Sequence, residues 1–391
     1  MSAVQKPAYL NAVLLGSAAF VFINFGLPLR ADDLGISATG IGGMYAVFTG
    51  TMLLFRPLVG YCLDRFGRRW FFASAFVFYA AAMAVFAQST DIIDFYIARF
   101  LQGIGASLMW VSARTMVTDV FDVAARGEGM GQLLVTSVRG SMLGAVYGFT
   151  LLGMMPLAQA WLWAFGGYAV LALLGWIWSM AQVRETSVQR QVGQREKLQW
   201  TMPLRKILVI VFISAFASAL IEPIYLLFLK QKFDLHITML ALAFLPAGIV
   251  FAILPRYAGR WSDRYGRVRV IAAGVVCAGL VSATLPFWPS IWMVAASYIL
   301  FSAGWAMAGP AEDALVADLA PESLRGTVLG AREAAAGLGA ALGPLAGGFI
   351  YDHWSQAGAF VFNGMLMSLV AVLVLFWFRQ THGRASKANE P

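Results

Sequence analysis

A constant offset of 199 positions runs through this chain. Gly60 and Gly259, Asp64 and Asp263, Gly67 and Gly266, and Arg68 and Arg267 are separated by it. So are Asp119 and Asp318, Arg126 and Arg325, Gly140 and Gly339, and Gly144 and Gly343. One offset shared from residue 60 to residue 343 marks an internal duplication, so the second half must repeat the fold of the first. The length would allow two or three water-soluble domains, but the composition does not. Apolar residues make up 60% of the chain and charged residues 12%, with a mean hydropathy of +0.72, against roughly 45–50% and about 25% in soluble domains.

The apolar residues come in runs of about 20, cut by short charged or Gly/Pro-containing loops, which is the pattern of membrane-crossing helices. The runs predict twelve helices over 8–29, 38–60, 70–88, 92–116, 127–152, 160–181, 205–229, 238–257, 270–287, 291–315, 326–350 and 357–378. The fold class expected is an all-α membrane protein of two six-helix halves, 1–181 and 205–379, joined by a polar linker at 182–204 and followed by a tail at 380–391. The first run is too long for a secretory leader and lacks a small-residue cleavage site, so it reads as the first span.

Lys and Arg alternate by loop. Arg65, Arg68, Arg69, Arg126, Arg260, Arg264, Arg267, Arg325, the linker bases and the tail bases share one side, and Arg30, Lys230 and Lys232 the other. By the positive-inside rule both termini and the linker are expected on the cytoplasmic face of a cell membrane. This alternation also removes nucleic acid as the reason for a net charge of +8. Cys62 and Cys277 are too few for a disulfide framework. His236, His353 and His382 stand apart from one another, so no metal site is expected, and no nucleotide or catalytic motif implies a cofactor or an enzyme.

The hairpin at Gly60–Trp70 reads G-x-x-x-D-R-x-G-R-R at Gly60, Asp64, Arg65, Gly67, Arg68 and Arg69. Its copy at Gly259, Asp263, Arg264, Gly266 and Arg267 differs only where Val268 stands in place of the last Arg. Glycines are expected to form the tight turn, and Asp64 to cap a helix N-terminus or pair with a neighbouring Arg. Two such hairpins in a duplicated twelve-span chain resemble the major facilitator superfamily of secondary transporters, over essentially the whole length. The resemblance implies that Asp64, Arg65 and Arg68 cluster with Asp119, and Asp263, Arg264 and Arg267 with Asp318, as latches that hold in one state and release in another. It further implies a monomer in the lipid bilayer that carries a small-molecule cargo.

Two other motifs bear on the subclass. Arg99, Gln102, Gly103 and Gly105 match the R-x-x-Q-G-x-G pattern that is common in span 4 of proton-coupled drug antiporters. Gly339, Gly343, Pro344, Gly347 and Gly348 match the G-x-x-x-G-P-x-x-G-G antiporter motif, here in span 11. Span 5, where the family carries that motif, has Gly140, Gly144 and Gly148 but Ala145 in place of the proline. Glycines four apart equally suit close helix packing in lipid.

An ionisable side chain at mid-span costs roughly 2.5–3.5 kcal/mol and needs a partner, water or a function. Arg56 is expected to snorkel. Arg99 needs acceptors, with Asp94 placed in the preceding loop, and Arg139 lies in the middle of span 5. The resemblance makes spans 1, 4, 7 and 10 line a central cavity, which nominates Glu222, Glu312 and Asp313 as proton-coupling acids. Glu222 precedes Pro223, which is expected to break span 7, and broken helices are where transporter sites sit. An apolar cavity favours the neutral form of a carboxylic acid, which lets such a group load and release a proton. Asn24, Tyr225, Trp110 and Trp305 are the cargo candidates, along with Arg139 and Arg114. Asp313 is Arg114's counterpart by the offset, and the pair is a candidate inner gate; the alternative is that Arg114 pairs in its own half with Asp119 or Asp122.

The reading is proton-coupled efflux of small hydrophobic or cationic compounds by alternating access. Its rivals are a facilitator or symporter for a small nutrient or organic anion, a lipid or lysolipid flippase, and a membrane receptor that does not transport.

Overall fold

The computed structural model describes residues 8–122, 125–186, 200–233, 250, 254, 257–321 and 324–378, and is helical throughout apart from short turns. The chain divides into two compact units, Met1–Val192 and Gly193–Pro391. Most of the eighth expected span, 238–257, together with much of the linker and the tail, lies outside the described residues.

The first unit contains α1 (Ala8–Gly16), α2 (Phe20–Asp33), α3 (Ala38–Phe66), α4 (Arg69–Ala87), α5 (Ile92–Val120), α6 (Arg126–Met154) and α7 (Leu157–Gln182). The second contains α8 (Met202–Phe233), α9 (Arg267–Thr284), α10 (Ile291–Leu319), α11 (Arg325–His353) and α12 (Gln356–Phe378). Their packing repeats. α4 lies between α5 and α7 as α9 lies between α10 and α12, and α6 packs along α1 and α2 as α11 packs along α8. The duplication in the sequence is a duplication of helix pairings.

Ten helical segments among the described residues are long and apolar enough to cross a membrane, and the chain is a multi-pass membrane protein. α6 is not one of the ten. It is as long as its neighbours, but Arg126, Glu128, Gln132, Arg139 and its glycines dilute its apolar character.

Small residues decide how closely the helices approach. On α6, a Cβ added to Gly140 or Gly144 would overlap the carbonyl of Leu14 or Ala18, and one at Gly148 would meet the ring of Phe22. On α11, Gly339, Gly343 and Gly347 abut the carbonyls of Phe212, Phe216 and Leu220 in the same way. Backbone therefore touches backbone at equivalent places in both units, the arrangement that van der Waals packing in lipid rewards. Pro344 and Gly348 are buried in the same stretch of α11, and Ala145 is buried in α6.

Span 7 is not broken. α8 runs unbroken through Pro223, whose neighbours Leu220, Ile221 and Ile224 are buried and keep the helix in register. The interruption lies in span 1, at residues 17–19. There the chain makes tight turns, Ala18 N–H to Leu15 O at 3.3 Å and Phe20 N–H to Ser17 O at 3.2 Å. Ser141 Oγ donates to the Ser17 carbonyl at 2.9 Å, and the Ser17 and Ser137 hydroxyls are 3.0 Å apart. The glycine stripe of α6 is what brings these serines against the break.

Candidate functional site

Glu222 lies on α8, exposed, within electrostatic reach of Tyr298 on α10. Tyr298 stacks on Tyr225, with ring centroids 4.7 Å apart and planes 21° from parallel, and on Phe301 at 5.6 Å and 12°. Tyr225 is buried and also meets the edge of Phe360 from α12. The second unit thus holds a carboxylate beside a three-ring ladder. Tyr298 and Phe301 carried no signal in the sequence that separated them from ordinary membrane aromatics. Trp305, one turn beyond Phe301, is half-buried, and its indole N–H has no hydrogen-bond partner among the described residues.

Below this ladder, toward the loop that joins α10 to α11, four charges meet. Arg332 of α11 holds Asp313 of α10 through Nη2 at 2.6 Å and its own neighbour Glu333 through Nη1 at 2.7 Å. Glu312 is buried beside them, near Ser214 of α8. Asp313 therefore has a partner inside its own half.

In the first unit, Trp110 and Arg114 are one turn apart on α5, with the guanidinium 5.9 Å from the indole. Asn24 is exposed on α2, and its carbonyl accepts from the Tyr45 hydroxyl at 3.1 Å. Arg139 is exposed on α6, and no described carboxylate pairs with it. Asp119 pairs with Arg68, and among the described residues no ion pair joins Arg114 to Asp119 or Asp122.

Arg99 is buried on α5. Its guanidinium donates to Gln102 Oε1 at 3.0 Å and lies 4.7 Å from the Tyr45 ring and 5.3 Å from the Phe48 ring. Gly103 admits Thr51 and the Phe48 carbonyl of α3, and Gly105 admits the Ala75 carbonyl of α4. The motif seats α5 between two helices and lays a cation against aromatic faces. Asp94 is not in a loop: it is in the first turn of α5, where it and Asp91 form a reciprocal capping box. Arg56 reaches back along α3 to the Met52 sulfur, ten residues short of the helix end, because α3 continues past the expected boundary.

The hairpins are tighter than the sequence suggested. Gly60 lies inside α3 and Gly259 inside the helical stretch 257–265, so neither forms a turn. Gly67 and Gly266 make the turns, each at φ +91°, a conformation a Cβ disfavours. Asp64 does not cap α4; it is 3.8 Å from Arg68 in the last turn of α3. Arg68 is the hub. It pairs with Asp119 at 3.1 Å, both side chains only 5% exposed, and donates to the Leu63 carbonyl at the end of α3. Arg65 stands outside this cluster, bonded to the Tyr61 hydroxyl and lying near Phe66. In the second copy Arg267 holds Asp318 at 2.8 Å and Asp263 at 2.6 Å, more exposed than the first, while Arg264 lies near the Tyr265 ring.

The Arg68 cluster has one further residue that no sequence motif marks. Glu185, just after α7, accepts from the backbone N–H groups of Arg68 at 2.8 Å and Arg69 at 3.1 Å. A carboxylate there satisfies the open amides and favourable dipole end of α4. Thr186 adds a hydrogen bond to Asp119 at 3.2 Å. Of the histidines, His353 closes α11 and stacks on Phe349, and His236 and His382 lie outside the described residues.

Paired helix bundles of duplicated build, each with an Arg–Asp ion-pair cluster at one end, make up a polytopic membrane protein. The family model of the Major Facilitator Superfamily matches residues 9–254 and again 207–390, and the chain belongs to that family. It is 24% identical over 396 residues to multidrug resistance protein 1 of Bacillus subtilis (strain 168), covering 98% of this chain and 100% of that one. It is 27% identical over 333 residues to the synaptic vesicular amine transporter of Rattus norvegicus, covering 83% of this chain and 63% of that one. Among solved structures, a bacterial homologue of the human lysosomal transporter Spinster, inward-facing and occupied, superposes with a TM-score of 0.76 at 12% identity, covering 97% and 96% of the two chains. Members of this family are transporters of small molecules and not enzymes.

Proposed function

We propose that this transporter exports small hydrophobic or cationic compounds in exchange for protons, by alternating access. The observation that carries the reading is Glu222 beside the Tyr225–Tyr298–Phe301 ladder. Tyr298, the one ring of the ladder that is only half-buried, offers an apolar aromatic edge backed by two buried rings, and the exposed carboxylate within reach supplies the counter-charge for a cation. The relatives' names, multidrug resistance and amine transport, support the same cargo chemistry. Glu222 is the proposed coupling acid, with Asp313 and Glu312 as further carriers. A proton bound at Glu222 removes the charge that holds the cation, so proton and cargo compete for one site. Asn24, Trp110, Arg114 and Arg139 are proposed contributions from the first half, and Arg114–Asp313 is the proposed inner gate. The protein is proposed to act as a monomer in the cell membrane with both termini in the cytoplasm, its two halves bounded as 1–181 and 205–379.

The test is a competition assay on purified protein with ethidium as the probe, a sugar and an organic anion as controls, and Glu222→Gln and Tyr298→Ala beside the wild type. Ethidium binding that weakens at least tenfold in each variant, with no sugar or anion competition, supports the assignment. Ethidium binding that survives both substitutions overturns the assignment, and displacement by an organic anion moves the reading to an anion carrier built on Arg114 and Arg139.

A further inference from the structure

The four-charge cluster of α10 and α11 exists in only one of the two copies. At the positions equivalent to Glu312, Asp313, Arg332 and Glu333, the first half has Ala113, Arg114, Leu133 and Leu134. The first half builds the same helix pairings without this cluster, so the fold does not require it. Each of its charges lies in a helix that crosses the membrane, where a charge is retained for a reason other than solubility. The cluster holds three carboxyl groups and one guanidinium. Fully ionised it carries two uncompensated negative charges, an arrangement that favours taking up a proton.

Geometry shows where that proton would act. Asp313 lies six residues before the end of α10 and Arg332 seven residues after the start of α11, about 10 Å up each helix from their shared loop at a 1.5 Å rise per residue. Their 2.6 Å bridge pins α10 to α11 at that level. Five residues further along α10, Asp318 pins the same helix to Arg267 of the hairpin at 2.8 Å. α10 is thus held by two ion pairs, to a different element at each level.

We propose that Arg332 is a positioning residue that converts protonation of Asp313 into release of α11 from α10. The inference rests on the proton-coupled reading above. When a proton binds an Asp313 carboxylate oxygen, the cluster gains one positive charge and the α10–α11 bridge is lost. Arg332 stays paired with Glu333 on its own helix, and α11 is free to shift against α10. Within its own half, the charged groups facing Asp313 are Arg332 and Glu333 from α11 and Glu312 from its own helix. Those facing Glu312 are Arg332 and Asp313, with the hydroxyl of Ser214 from α8; α9 brings no described charge to either.

The experiment measures ethidium transport by the full chain in proteoliposomes as a function of pH, for the wild type, Arg332→Gln, Arg332→Lys and Asp313→Asn. Arg332→Gln is expected to move the pH midpoint upward by about one unit, since a neighbouring cation shifts a carboxyl by about 1–3 units. Arg332→Lys should keep the wild-type midpoint, and Asp313→Asn, permanently neutral, should remove Asp313's part of the profile and move the midpoint to that set by the remaining acid, Glu222. An Arg332→Gln profile that is the wild-type curve scaled down overturns the proposal. Should that variant fail to fold, an Asp313→Asn profile with an unmoved midpoint overturns it equally. A wild-type profile that is flat with pH overturns the proton-coupled reading, and this inference falls with it; a sloped wild type with unmoved variants removes only the role of Arg332.

Discussion

At the scale of the residue, the two latches look alike in sequence but differ in how much they hold. Arg68 and Asp119 are both 5% exposed, and removing one partner strands a buried charge at a cost of about 3–5 kcal/mol. Asp318 is 54% exposed, where an ion pair contributes about 0–1 kcal/mol. Asp119→Asn should therefore lower the thermal midpoint of detergent-purified protein by many degrees, and Asp318→Asn by few. Equal shifts would contradict this ranking. Glu185 gives a third test: Glu185→Ala removes the cap of α4 and should cost about 0.5–2 kcal/mol, read as a drop in the same melting curve that does not grow when Thr186 alone is changed.

At the scale of the element, close approach of helices rather than hydrophobic burial sets the architecture, because lipid is as apolar as the side chains it faces. Gly144→Leu and Gly343→Leu push a side chain into the carbonyls of Ala18 and Phe216 respectively. Both variants should lose most of their monodisperse yield in size-exclusion chromatography, and to a similar degree, since the contacts are duplicates. Loss in one half alone would mean that the two helix pairs are not equivalent in energy.

The helices were legible in the sequence because apolar length is a local signal; their ends and interruptions were not. α3 runs to Phe66, since Asp64 and Arg65 leave the apolar zone without leaving the helix, and only Gly67 stops it. Pro223 looked like a break and is absorbed within α8, whereas residues 17–19 carry no strong breaking residue and are turned by contacts from α6. The site divides in the same way. Glu222 and Asp313 stood out as charges in apolar runs. Tyr298 and Phe301 did not, because aromatic residues are common in every span. The Asp313–Arg332 pair was within reach of a register argument, since the two residues lie at nearly equal distances from one short loop. Glu185 was not, because its partners are backbone amides more than a hundred residues away.

At the scale of the whole molecule, the protein is a duplicated carrier whose second half holds the four-charge cluster and the aromatic ladder, while the first half holds the more buried ion-pair cluster. Cargo and proton are proposed to exchange through Glu222. The measurement that tests it most directly is proton movement in proteoliposomes loaded with a pH-sensitive dye, on adding a lipophilic cation to wild type and Glu222→Gln. A cation-triggered proton flux is expected in the wild type, falling at least tenfold in the variant. Cation flux with no proton movement, unchanged by the substitution, would contradict it and leave a facilitator or flippase in its place.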